Sequence, residues 1–224
     1  MNSRDGPRPS ASVGQGSNKR AIGGIRATHS DPAKIRLSKR SIEIFSTWQE
    51  RFGDDIEWYQ GGYVFVAYRP LEEETLKSLL AVQKSFGLKI DWLDAKELLA
   101  VVHDLNPVNL YGGTYSPEDG NASPLLAIHA FYRQARKLGA QFHFNERVME
   151  LVQAGGRVKG VATDQARYSA DVVINAAGAG ARAVAALAGM DVPVHPDSHE
   201  AAITEAVARF LEPMVVDIRP YPGS

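Results

Sequence analysis

Residues 147–164, RVMELVQAGGRVKGVATD, followed by residues 171–189, DVVINAAGAGARAVAALAG, decide the fold class. Two apolar runs, Val148–Val152 and Arg157–Thr163, flank Gly155-Gly156. A Gly-Gly pair between such runs predicts a hairpin with a two-residue turn. Asp171–Asn175 is almost wholly apolar, the pattern of a strand buried in a parallel sheet. It runs into a glycine turn and an Ala-rich helix that ends at Gly189. Hairpin, buried strand and glycine-opened helix together predict a mixed α/β fold.

Upstream, the same rules predict three longer helices. Ser30-Asp31-Pro32 supplies a cap and a first-turn proline, and Ile35, Ile42, Phe45, Trp48 and Phe52 follow at helical spacing until Gly53. A second helix is expected over about Glu72–Phe86, with Leu76, Leu79 and Leu80 as its apolar stripe and Gly87 as its end. Ser123-Pro124 repeats the cap-and-proline start, with Leu125, Ile128, Tyr132 and Ala135 as the expected buried face and Gly139 as the stop. Asp94–Val101 reads as a short helix. Strands are expected in Trp58–Tyr68, Leu110–Ser116, Gln141–Phe144, Ala201–Thr204 and Met214–Ile218, and Pro117–Gly120 has the residues of a turn.

Composition narrows the function. The 224 residues carry 25 basic and 26 acidic side chains, a net charge of −1, which offers neither the basic face of a nucleic-acid binder nor a polybasic membrane anchor. Apolar residues make up 44% and charged residues 23%, an ordinary globular balance. There is no cysteine, so disulfides, thiol nucleophiles, Cys-zinc sites and iron–sulfur clusters are excluded. The leader MNSRDGPRPSAS has no apolar core of a secretory signal. Val172–Met190 is interrupted by Asn175 and Arg182 and is not expected to span a membrane. A soluble cytoplasmic protein is the expectation.

Two glycine-rich segments are suited to chemistry. Gly178-x-Gly180-x-x-Ala183 follows a predicted strand and opens a helix, the weaker form of a dinucleotide fingerprint. The same residues equally describe a small-residue helix packed closely on a sheet, and no acidic ribose ligand stands about twenty positions on. Gly14–Arg26, GQGSNKRAIGGIR, combines glycine amides with Lys19, Arg20 and Arg26, a composition that suits an anionic group or a mobile basic loop. It lacks the Gly-Lys-Ser/Thr ending of a phosphate-binding P-loop. His195 and His199 lie four apart beside Glu200, but Pro196 argues against a helix presenting both, and no metal site is expected. His29, His103, His129 and His143 read as surface or core residues. Tyr63, Tyr111 and Tyr115 are candidates for a substrate pocket or for core.

Taken in order, GQGSNKRAIGGIR, YGGTYSPEDGNASP, RVMELVQAGGRVKGVATD, DVVINAAGAGA and VPVHPDSHEAAITEA resemble the D-amino-acid oxidase-like flavoproteins, above all sarcosine oxidase β subunits, glycine oxidases and related proline dehydrogenase subunits. The resemblance covers Gly14 to the C-terminus. It implies an FAD-binding domain of Rossmann type interleaved with an antiparallel-sheet substrate domain: residues 14–53 and 122–190 in the first, 54–121 and 191–224 in the second, after a leader of residues 1–13. It implies FAD as cofactor, lined by Gly16, Ser17, Asn18, Arg20, Gly23, Gly24 and Ile25, by Val148 at the adenine, and by Asn175, Ala176, Ala177 and Gly178. Arg26, ten residues after Gly16, would face the carboxylate of a small amine or amino-acid substrate, where a guanidinium gives the planar bidentate clamp a lysine lacks. Hydride would pass from substrate to flavin, with oxygen or a partner subunit as electron acceptor. HEAAITE would be a substrate-domain strand with His199 near the flavin.

The family's opening strand–glycine turn–helix has no counterpart before Gly14, and its late glycine-rich segment none before Ser224. The resemblance therefore implies a chain cut at both ends that by itself binds FAD weakly or not at all. The rival expectations are a non-catalytic scaffold that keeps the fold without the cofactor, and an NAD(P)-binding protein using Gly178–Ala183.

Overall fold

The computed structural model describes residues 9–197 and 201–220. In chain order, β1 (Gly24–Ile25) precedes α1 (Pro32–Ser46) and α2 (Trp48–Phe52). Next come β2 (Tyr63–Ala67), α3 (Pro70–Ser85), β3 (Asp91–Asp94) and α4 (Ala95–Val101). They are followed by β4 (Gly112–Ser116), β5 (Gly120–Asn121) and α5 (Pro124–Lys137). The remaining elements are β6 (Val148–Ala154), β7 (Arg157–Thr163), β8 (Arg167–Ser169), α6 (Ala181–Ala186) and β9 (Met214–Asp217). The chain divides into two units. The larger holds Gly16–Leu138 and the chain from Ala206 onward, and the smaller holds Gly139–Glu205 with the segment before Gly16.

Local chemistry accounts for the helices. Asp31 accepts from the Lys34 amide at 2.9 Å and caps α1, with Pro32 at its first position. Thr47 breaks the expected single helix into α1 and α2. Asp94 and Glu97 cap α4 reciprocally, each accepting the other's backbone N–H. Before α3, Glu72 reaches back to the amides of Tyr68 and Arg69 at 2.8 and 3.1 Å.

The larger unit is built on a four-stranded sheet of order β3-β4-β2-β9, in which only β2 and β9 run parallel. Every residue of β2 is buried, because the sheet is covered on both faces. Val64 and Val66 pack with Leu98, Val102 and Leu110 on the α4 side. Tyr63, Phe65 and Ala67 pack with Leu76 of α3 on the other. A separate cluster of Trp48, Ile56, Ala122, Ala127 and Ala130 joins α2 to α5 beside the two-stranded β1–β5 ladder. The buried face of α5 is therefore Ala127 and Ala130; Leu125, expected inside, is 46% exposed. Small residues win there because the bulky Trp48 and Phe131 rings, 4.4 Å apart, fill the space between the helices.

The smaller unit is an antiparallel meander, β6-β7-β8, turning at Gly155-Gly156 with φ of 57° and 73°. Three strand expectations fail. Among the described residues nothing pairs with 171–176, and Val172 and Ile174 are 73% and 83% exposed. An apolar run becomes a strand only when a neighbouring strand takes its backbone groups. Residues 141–144 and 201–204 likewise form no strand. Among the described residues no helix is long and apolar enough to cross a membrane.

Candidate functional site

Arg26 leaves the end of β1 and lays its guanidinium over the Phe65 ring, with Cζ 5.0 Å from the centroid. Phe65 and Tyr63 stand on one face of β2, their rings 6.3 Å apart and stacked. The guanidinium Nη1 donates to the Thr28 carbonyl and lies 3.4 Å from His29 Nδ1. Arg26 is half-buried, yet it forms no salt bridge to any described carboxylate. The cation–π contact offsets about 0.5–2 kcal/mol of its desolvation, and what remains is a positive charge able to receive an anion.

The nearby Asp119 carboxylate makes its hydrogen bonds to Ala27 and Thr28 and no salt bridge to Arg26. Asp119, 1% exposed, accepts the Ala27 amide at Oδ1 (2.9 Å) and the Thr28 hydroxyl at Oδ2 (2.6 Å). Burial raises the Asp119 carboxyl above the usual carboxylate range, against the pull of these hydrogen bonds and of Arg26. Burial, then the Arg26 charge, lowers His29, so its ring stays neutral beside the guanidinium. The Tyr63 phenol is raised, chiefly by burial. The corner thus presents one fixed cation among groups that are neutral or already hydrogen-bonded.

The loop ahead of Arg26 borders a groove. Ser17–Arg20 form an exposed 3-10 turn. Asn18, Gly23, Gly24 and Ile25 line a cavity of about 380 Å³ with Phe45, Ala127 and Phe131. Gly16, Ser17 and Arg20 lie on the exposed turn rather than in that lining. In the smaller unit, Val148, Asn175, Ala176 and Ala177 come together along an apolar trough of about 610 Å³, beside Met149, Leu151 and Val161. Asn175 shapes its rim: its side chain donates to the Ala181 carbonyl at 2.8 Å and accepts the Ala177 amide at 3.2 Å, turning the chain into the Gly178–Gly180 turn. No atom lies within 4 Å of where a Gly178 side chain would stand, so its backbone is open to approach.

Apolar walls with a small-residue rim suit a flat heteroaromatic group carrying a polar tail, and in that respect these residues fit FAD. His195 meets Arg182 at 3.4 Å, while His199 and Glu200 lie outside the described residues. Among the described residues no three His, Asp or Glu side chains are grouped to hold a metal. Tyr111 is 44% exposed and Tyr115 packs in the core against Val64 and Leu98.

Sequence reasoning did not find Phe65, His29 or Asp119 as parts of the Arg26 corner. Phe65 reads as one aromatic in a strand and Asp119 as a turn former. Neither signal separates those roles from a site role.

The family described as DAO, FAD dependent oxidoreductase, matches residues 9–223. D-amino acid dehydrogenase of Neisseria meningitidis serogroup C / serotype 2a is 28% identical over 164 residues, covering 72% of this chain and 39% of that protein. Mitochondrial sarcosine dehydrogenase of Homo sapiens is 30% identical over 164 residues, 71% of this chain and 18% of that one. The crystal structure of L-proline dehydrogenase from P. horikoshii superposes with a TM-score of 0.81 at 28% identity, over 92% of this chain and 55% of that one. Glycine oxidase from Geobacillus kaustophilus shares the fold, with a TM-score of 0.74 at 20% identity over 95% of this chain and 58% of its own. The chain spans about two fifths of the length of the D-amino acid dehydrogenases it matches.

Proposed function

The chain belongs to the FAD-dependent oxidoreductase family, and from that premise we propose that its Arg26 corner holds the carboxylate of a small amino acid or N-methyl amino acid during oxidation. The observation that carries this reading is a half-buried guanidinium, stacked on Phe65 and free of any described carboxylate partner. The names of the relatives, D-amino acid, sarcosine, proline and glycine oxidoreductases, share a substrate with a carboxylate close to an amine nitrogen, which supports the choice. FAD, when bound, supplies the hydride acceptor.

This chain's own contribution is binding and orientation. The Thr28 carbonyl occupies one edge of the guanidinium and leaves the remaining N–H groups for a bidentate grip on a carboxylate. Phe65 and Tyr63 form the floor, which excludes water beneath the charge and strengthens the ion pair. Val148, Asn175, Ala176 and Ala177, which line one trough of the smaller unit, are residues that would hold FAD.

Titration of wild type and Arg26→Ala with sarcosine, proline and D-alanine, followed by calorimetry, tests the carboxylate assignment. Arg26→Ala is expected to weaken binding by at least about tenfold, the loss of one charged hydrogen-bonded contact. Equal affinity in the variant overturns the assignment. A parallel FAD titration, read by flavin absorbance and fluorescence, is expected to weaken when Val148→Asp places a charge in the trough.

A further inference from the structure

Resting on the reading of Arg26 as the carboxylate-binding residue, the hydrogen bonds around Asp119 extend the site. Asp119 sits in the turn between β4 and β5, and besides a local hydrogen bond from Ser116 its carboxylate makes bonds that leave that turn. Its carboxylate receives Ala27 and Thr28, 92 and 91 positions away in sequence. Its own carbonyl accepts the Gly62 amide at 2.9 Å.

Each of these partners bears on the guanidinium. Ala27 and Thr28, both buried, are the two residues that follow Arg26. Thr28 also provides the carbonyl that orients Nη1. Gly62 opens β2, the strand that carries Tyr63 and the Phe65 ring beneath Arg26. One buried residue therefore ties down the backbone from which the guanidinium springs, the acceptor that aims it and the strand it rests on.

We propose that Asp119 is a positioning residue that holds Arg26 in the geometry required to receive a substrate carboxylate. A turn former needs only local bonds such as the one from Ser116, and each oxygen of the Asp119 carboxylate also accepts from a residue 91 or 92 positions away. Those oxygens accept from Ala27 and Thr28 and make no direct salt bridge to Arg26, whose remaining N–H groups are left for a ligand. The role is one of geometry and not of charge. An asparagine can accept from Ala27 through Oδ1 and donate to Thr28 Oγ1 through Nδ2, since a hydroxyl serves as donor or acceptor. Alanine can do neither.

The test uses the 224-residue chain with 15N-labelled arginine. Exchange of the Arg26 Nε–H proton is measured without ligand in wild type, D119A and D119N, and acetate affinity by calorimetric titration in these and in R26A, with a thermal melt of each. D119A is expected to speed Arg26 Nε–H exchange and weaken acetate binding by at least about tenfold, as misplacement of a binding group does. D119N is expected to stay close to wild type in both. Should D119A fail to fold, Thr28→Val cuts the Asp119–Thr28 link alone and is expected to shift both readouts in the same direction.

Wild-type exchange and affinity in a folded D119A, or in Thr28→Val where D119A does not fold, would overturn the proposal. So would a D119N as impaired as D119A, which would make charge the operative property. If R26A binds acetate like wild type, the carboxylate reading falls, while the exchange rates in the Asp119 variants still decide whether Asp119 positions Arg26.

Discussion

The Tyr63 hydroxyl occupies the space above Gly24 where any side chain would have to stand, 1.7 Å from an ideal Cβ, with the ring carbon Cζ at 2.9 Å. A strand of the sheet and the loop carrying Arg26 meet at this point without a side chain between them. Gly24→Ala is expected to destabilise the larger unit by about 1–3 kcal/mol, the cost of overpacking a core. Tyr63→Phe removes the clashing oxygen, and the double variant is expected to recover part of the loss. Urea denaturation of the four proteins yields the coupling energy, and simple additivity would show the contact to be inconsequential.

At the Arg26 corner, Arg26→Lys is expected not to restore the carboxylate binding lost in Arg26→Ala. Lysine keeps the charge but offers neither the planar fork nor the same stacking on Phe65. Phe65→Leu keeps apolar volume and removes the π face, with an expected cost of about 0.5–1 kcal/mol in affinity. Both are checked by acetate titration against wild type.

Glu72 is 4% exposed and takes the amides of Tyr68 and Arg69 as well as the Arg69 guanidinium. Glu72→Ala strands two amides at the entry to α3. The expected loss is about 1 kcal/mol, the cost of losing the helix cap at two partly exposed amides. Glu72→Gln, which retains one acceptor oxygen, is expected to lose less, and thermal denaturation ranks the two.

In the smaller unit, Gly155 and Gly156 both hold positive φ at the hairpin tip. Gly155→Asn is expected to be nearly neutral, whereas Gly156→Val is expected to cost about 1–2 kcal/mol because a branched side chain clashes in the left-handed region. Amide exchange of β6 and β7 reads the effect where it arises.

Asp54 and Asp119 respond to pH with opposite signs. Hydrogen bonds from Gln134 and Arg133 lower the Asp54 carboxyl, so its contribution is present above the usual carboxylate range and is lost as pH falls through the lowered value. Burial raises Asp119, so the folded state binds the extra proton and stability from this group falls as pH rises from the usual Asp value, about 3.9, through the raised one. Asp54→Asn is therefore expected to be less stable than wild type at neutral pH and to converge with it in acid. Asp119→Asn is expected to flatten the decline on the other side. Denaturation from pH 3 to pH 7 separates them.

What the sequence by itself determined was local. Asp31-Pro32, Ser123-Pro124 and Gly155-Gly156 marked the helix starts and the hairpin, because caps and tight turns depend on residues within a few positions of one another. The ordered glycine-rich segments carried the family. Only the tertiary structure decided the rest. It left Asp171–Asn175 unpaired, since a strand needs a partner that its own residues do not specify. It buried alanines rather than leucines along α5, since the space left by Trp48 and Phe131 sets which face fits. And it made Asp119 more than a turn residue, by bringing Thr28 across 91 positions of chain to a carboxylate 2.6 Å away.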